Sequence, residues 1–256
     1  MIRLTIITCT YQAASVVERT LNSVLEQTFR HVEHLIIDGA SKDATLQLAE
    51  TYMEASNKAE NGHSVVVVSE PDRGLYDAMN KGIALATGDY LVFLNAGDVF
   101  PHSGTLEQIA ASAGDGDILP GVLYGHTDIV DENGRFLHHR RLQPPPRLTW
   151  RSFRQGMLVC HQAFYARTDL AKRTPYNLRY RYSADVDWCI RVMKEAEHEH
   201  LPLKEVNAVI VNYLDGGLTT AHHRASLKER FMVMREHYGF LPSVVMHLWF
   251  AVRAIL

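Results

Sequence analysis

Hydrophobic and polar positions along this chain alternate between two kinds of pattern. Residues 4–8, 34–37, 65–68 and 90–94 are short apolar runs with the composition of buried strands. Between them, apolar residues recur at helical spacing. Val17, Leu21, Val24 and Leu25 predict a helix that Ser15 and Glu18 would open as a capping box. Asp43 is the expected cap of a second helix running to about Met53. A third helix is predicted over residues 75–86, and Gly88 stops it. Strands that alternate with helices through residue 98 imply an α/β fold with a mainly parallel sheet and right-handed crossovers.

After residue 98 the pattern changes. Residues 105–113 read as a helix. Residues 121–130 and 135–139 read as strands around the Asn133-Gly134 hairpin signal. Pro144, Pro145 and Pro146 form a stiff connector. A short helix over 150–155 and a strand over 160–166 are expected next. An amphipathic helix over 184–197, a strand over 206–213 and a charged helix over 225–237 follow. Residues 240–256 form an apolar tail with one Arg. That tail suits a membrane surface, packing on the body, or pairing of two chains.

Composition narrows the function class. The chain has 256 residues, enough for one sizeable α/β domain, and its net charge of -3 gives no support to a nucleic-acid role. Basic residues cluster locally at Arg140-Arg141, over 151–154 and over 167–181, as a solvated face or as attraction for phosphates. Cys9, Cys160 and Cys189 are too few, and wrongly spaced, for a disulfide framework or a structural zinc. A strand begins within three residues of Met1, so no signal peptide is expected, and a reducing cytoplasm fits best. No apolar run reaches the roughly 18 residues of a spanning helix. The turn after the first strand lacks G-x-G-x-x-G, and no phosphate-binding G-x-x-x-x-G-K-[ST] occurs. Residues 9–14 contain neither Gly nor a basic residue, which argues against a nucleotidyltransferase gripping a triphosphate.

The candidate chemistry centres on residues 70–98. The strand over 90–94 ends in Asn95-Ala96-Gly97-Asp98. Ligands of open α/β sheets bind just past the carboxyl ends of strands, so Asn95 and Asp98 stand where a ligand belongs. The segment Glu-Pro-Asp-Arg-Gly-Leu-Tyr-Asp-Ala-Met-Asn-Lys-Gly-Ile, residues 70–83, and Leu-Asn-Ala-Gly-Asp, residues 94–98, resemble the family 2 glycosyltransferases. The likeness is greatest to those that assemble bacterial exopolysaccharide, such as the colanic acid transferases. It covers roughly residues 1–225 and is weak over 100–155, where acceptor specificity should lie.

The resemblance implies a GT-A fold, with residues 1–143 as the nucleotide-sugar half and 144–239 as the acceptor half. It implies an inverting sugar transfer from a UDP- or GDP-sugar to a glycan hydroxyl, on a lipid-linked acceptor at the inner face of the membrane. It also implies a divalent cation, Mn or Mg. Asp98 is the expected metal ligand. Asn95 stands where the family carries an acid facing the ribose. Asp38, with Thr8, Thr10 and Tyr11, is expected at the base. Arg73 and Lys81 are candidate cations for the diphosphate. Asp77 and Asn80 share one helix face and are candidates for sugar hydroxyls. Asp185 matches the family's general base, with Ala184 in place of its usual acidic neighbour and Asp187 as runner-up. His161, in Cys-His-Gln, is a candidate contact to acceptor, phosphate or metal. Gly216-Gly217-Leu218-Thr219-Thr220 resembles an element that closes over the donor. The replacements at Asn95 and Ala184 are what a non-catalytic sugar-nucleotide or glycan-binding module would also show.

Overall fold

The computed structural model describes residues 2–114, 116, 118–216 and 223–255. Its centre is a mainly parallel sheet of β1 (Leu4–Thr10), β2 (Val32–Asp38), β3 (Ser64–Ser69), β4 (Tyr90–Phe93), β5 (Val122–Val130), β6 (Phe136–His139), β7 (Phe164–Arg167) and β8 (Leu203–Leu214). The strand order is β3-β2-β1-β4-β7-β5. β8 lies parallel along one side of β5, while β7 and β6 pair antiparallel with opposite ends of its other side. Every residue of β1 and β2 is buried, because helices cover both faces. That is why these strands read as runs rather than as alternation.

The helices are α1 (Val17–Leu25), α2 (Thr45–Ala59), α3 (Leu75–Leu85), α4 (Thr105–Ala113), α5 (Thr168–Arg173), α6 (Ala184–His198), α7 (His223–Tyr238) and α8 (Phe240–Ile255). Three local expectations need correction. Ser15 makes no capping bond to α1; the Val16 and Val17 N–H groups instead donate to the Ala13 carbonyl. α2 runs on to Ala59, well past Met53, and carries its polar residues on its outer side. Asp43 does accept the Thr45 N–H, and it ties the same turn to the Ala14 N–H. The strand expected over 160–166 starts only at Phe164, because His161–Ala163 is a 3₁₀ turn.

One large core cluster draws on both sides of the proline connector, from Leu4 and Phe93 to Trp188 and Val233. All three cysteines are buried and free. Among the described residues, no helix is long and apolar enough to cross a membrane. α8 packs on α7 and on the short 3₁₀ helix Trp150–Gln155, with Leu241 (74% exposed), Val245, Leu248, Trp249 (51%) and Val252 facing outward.

Candidate active site

The site forms at the carboxyl ends of β1, β2 and β4. Asp98 lies in the turn that leaves β4, where its N–H donates to the Asn95 carbonyl at 2.9 Å. Thr20 of α1 locks that turn by accepting the Gly97 N–H (2.8 Å) and donating to the Asp98 carbonyl (2.8 Å). Gly97 has φ +101°, and a Cβ there would meet the Leu214 side chain at 2.7 Å. Glycine therefore lets the end of β8 close over the turn. The Leu214 N–H then donates to Asp98 Oδ1 (2.9 Å) and Gln162 Nε2 to Asp98 Oδ2 (2.9 Å). Asp98 is only 3% exposed, and burial lifts its carboxyl to about 6 against those two bonds and the pull of His161 and Arg19.

The neighbouring residue of the same 3₁₀ turn points to the other carboxylate. His161 Nδ1 stands 3.6 Å from Asp185 Oδ2, and His161 Nε2 stands 3.3 Å from Asn95 Nδ2. The Tyr76 hydroxyl donates to Asp185 Oδ1 at 3.3 Å. Tyr76 is in turn held by stacking on Tyr176 (centroids 5.2 Å), which stacks on Trp188 (4.9 Å). Asp185 is 19% exposed on its side chain, so solvent reaches it. Burial would raise its carboxyl, but the His161 contact, the His161 charge and Arg230 hold it below the usual carboxylate range. It is thus an ionised, partly accessible acceptor of protons.

The remaining expected residues divide sharply. Tyr11 is 67% exposed, and its ring lies beside Gly39, where a Cβ would also strike the Asp72 carboxylate at 2.5 Å. It is a free aromatic face over the floor of the site. Thr10 donates to Asp38 Oδ1 (3.0 Å). Asp38 is fully buried and also accepts from the Ser41 N–H, the Ser41 hydroxyl and the Ser69 hydroxyl. Burial opposes its ionisation, and these hydrogen bonds outweigh it and hold the carboxyl low. Its four acceptor positions are filled, so Asp38 holds the loops after β1, β2 and β3 together.

Thr8 departs from the expectation. It is fully buried and bonded to His34 Nε2 at 2.9 Å, beneath the sheet. The α3 residues also take up local work. Asp77 accepts from the Arg73 N–H (3.0 Å) and pairs with the Arg73 guanidinium (2.8 Å). Lys81 donates to the Pro71 carbonyl (2.8 Å) and pairs with Glu70 (2.9 Å). Asn80 exchanges two bonds with the Tyr176 backbone, at 3.0 and 2.7 Å. Asp187 is buried between His237 (2.8 Å) and Arg191 (2.8 Å), away from Asp185. Of the element over 216–220, all but Gly216 lies outside the described residues.

No group of three or more His, Cys, Asp or Glu among the described residues is placed to hold a metal. Yet Asn95 Oδ1 is buried with no partner among those residues, in the turn that carries Asp98. One carboxylate and one amide oxygen suit a hard cation whose other ligands come from phosphate and water, rather than a closed protein cage. The donor set therefore fits.

The profile for glycosyl transferase family 2 matches residues 5–173. The chain belongs to that family. This family 2 glycosyltransferase is 34% identical over 219 residues to the PGL/p-HBAD biosynthesis glycosyltransferase of Mycobacterium bovis (strain BCG / Pasteur 1173P2), covering 84% of this chain and 78% of that protein. It is 31% identical over 194 residues to the amylovoran biosynthesis glycosyltransferase AmsB of Erwinia amylovora, covering 72% of this chain and 62% of AmsB. Among solved structures it resembles S. aureus TarS 1–349 in complex with UDP-GlcNAc (TM-score 0.70, 19% identity). That match covers 91% of this chain and 64% of TarS 1–349. It also resembles the mannosyltransferase PcManGT of Pyrobaculum calidifontis in complex with GDP-Man and Mn2+ (TM-score 0.60, 15% identity), covering 98% and 75%. At such identities the likeness shows the fold, which is GT-A.

Proposed function

We propose that this glycosyltransferase moves a sugar from a nucleotide-sugar donor to a glycan hydroxyl in surface-polysaccharide synthesis, with inversion and with a divalent cation. The observation that carries this reading is the 3₁₀ turn at 161–163. Its adjacent residues His161 and Gln162 reach Asp185 and Asp98, so the acid on the acceptor side and the acid on the donor side share one support.

Asp185 takes the proton of the acceptor hydroxyl. The acceptor oxygen bonds the anomeric carbon as the bond from that carbon to the diphosphate breaks, and the nucleoside diphosphate departs. Tyr76 and His161 fix the carboxylate for this step. Tyr11 supplies a face on which the base can stack. Asp98 and Asn95 Oδ1 would hold the cation, which when bound supplies positive charge to the diphosphate. The nucleotide sugars in the TarS and PcManGT complexes support a UDP- or GDP-sugar as donor.

A donor panel tests the reading. UDP-, GDP-, CMP- and dTDP-sugars are added with Mn2+ or with EDTA, and the melting temperature is followed. One nucleotide class is expected to stabilise the protein in a metal-dependent way, by about 2.7 kcal/mol at 100 times its Kd. Folded protein that responds to none of them contradicts the donor assignment.

The outward apolar face of α8 supports an acceptor carried on a lipid, with the protein resting on the membrane surface. Flotation with anionic vesicles is expected to carry the wild type and to leave Trp249→Glu behind. Wild-type protein that stays with the soluble fraction removes the membrane role.

A further inference from the structure

Two guanidinium groups near the entrance of α6, those of Arg140 and Arg230, form no ion pair among the described residues, although Arg230 is within electrostatic reach of Asp185. Arg140 donates to the carbonyls of Leu142 (2.8 Å), Met157 (2.7 Å) and Leu158 (3.2 Å), which fixes it just ahead of Cys160 and His161. Arg230 lies on α7 next to Glu229. The Glu229 carboxylate accepts the N–H groups of Arg181 (2.9 Å), Tyr182 (2.6 Å) and Ser183 (3.0 Å) at the entrance of α6. That capping brings Arg230 to the same helix entrance as Asp185. The Nε of Arg230 is buried and has no hydrogen-bond partner among the described residues.

Three other arginines of this half form ion pairs. Arg167 pairs with Asp169 and Glu199, Arg179 with Glu236, and Arg191 with Asp187. Burial lowers the Arg230 guanidinium from its ordinary range. Asp185 and Tyr76 oppose that, and Arg140 adds to it, so the two arginines are within electrostatic reach of each other. Asp185 sets one negative charge against these two half-buried cations, and the excess positive charge is costly to the free protein. Two such cations together match a ligand with several anionic oxygens, which guanidinium groups bind in paired hydrogen bonds.

We propose that Arg140 and Arg230 form a phosphate-binding subsite beside Asp185. Its part in transfer rests on the reading of Asp185 as the acceptor base. The phosphate is either the donor's diphosphate as it leaves or a phosphate carried by the acceptor, and the chemistry is the same. The subsite supplies positive charge to that phosphate, while Arg73 and Lys81 are already paired with Asp77 and Glu70.

The test uses Arg230→Gln, with Arg230→Lys as the charge-retaining partner. The probes are inorganic pyrophosphate, UDP and GDP, titrated calorimetrically in EDTA so that a cation at Asp98 adds nothing. Because Arg230 makes no hydrogen bond among the described residues, Arg230→Gln is expected to melt at or above the wild-type temperature. Its affinity for pyrophosphate is expected to fall roughly tenfold, the scale of a lost charge-assisted contact, and that of Arg230→Lys to fall less. A parallel loss for UDP or GDP assigns the subsite to the donor, and a loss for pyrophosphate alone assigns it to the acceptor. Equal affinities in wild type and Arg230→Gln, or no binding of any probe by wild type, overturn the proposal. A clear drop in the melting temperature of Arg230→Gln marks a structural role and overturns it too. None of these readings depends on turnover, so a chain that binds the anions without transferring sugar contradicts the proposed function alone.

Discussion

Asp98→Ala is expected to abolish the metal-dependent stabilisation by the nucleotide sugar and to lower transfer by roughly 10²- to 10³-fold, the scale of one lost electrostatic group in a preorganised site. Asp98 is the one carboxylate at the end of β4, and the residue three places before it is Asn95, which adds an acceptor oxygen but no charge. No second acid of that turn can take over. The side chain also holds the Leu214 N–H and Gln162, so part of the loss is structural. Asp98→Asn separates the two effects. It keeps the shape and an acceptor for Leu214, and its melting temperature without ligand is expected to exceed that of Asp98→Ala. Donor binding in EDTA, compared with binding in Mn2+, is the measurement. An undiminished Mn2+ effect in either variant would take Asp98 out of the donor site.

Asp185→Asn is expected to bind donor as wild type does and to transfer sugar slower by roughly 10²-fold or more, the range for a lost general base. The substituted amide keeps the size of the carboxylate and can still accept from the Tyr76 hydroxyl. It cannot take a proton. Asp187 offers no substitute, because it is buried and held by His237 and Arg191. Single-turnover transfer gives the rate of the chemical step.

Much of this architecture was legible in the chain. The helix over 75–85 and the strand that follows it announce themselves through helical spacing, a terminating glycine and an unbroken apolar run. The hairpin between β5 and β6 follows from Asn133-Gly134, and Gly134 has the positive φ that such a turn needs. Asp98 can be proposed from its place at a strand end, a local feature, and Asp185 from its match to the family's second acidic motif. What was not legible is the choice of partner across the fold. Asn80 meets the Tyr176 backbone, 96 residues away, and Glu229 caps a helix that starts more than 40 residues earlier. Nothing local encodes either contact. Thr8 has the same type and setting as Thr10, and only the sheet register sends one to His34 and the other to Asp38. Arg73 and Asp77 are different. Their i, i+4 spacing signals a surface pair and argues locally against Arg73 as a phosphate ligand. Arg140 and Arg230 stand in stretches that the sequence marks only as basic or charged, and that neither forms an ion pair among the described residues is a property of the folded protein.

The proposed mechanism divides the labour between two carboxylates, Asp98 and Asp185. Donor affinity and single-turnover transfer should therefore be measured side by side on wild type and Asp185→Asn, in one preparation of each. Unchanged donor affinity with transfer slowed by roughly 10²-fold is the predicted result. Transfer by Asp185→Asn at the wild-type rate would contradict Asp185 as the base, and with it the mechanism built on the His161–Gln162 turn.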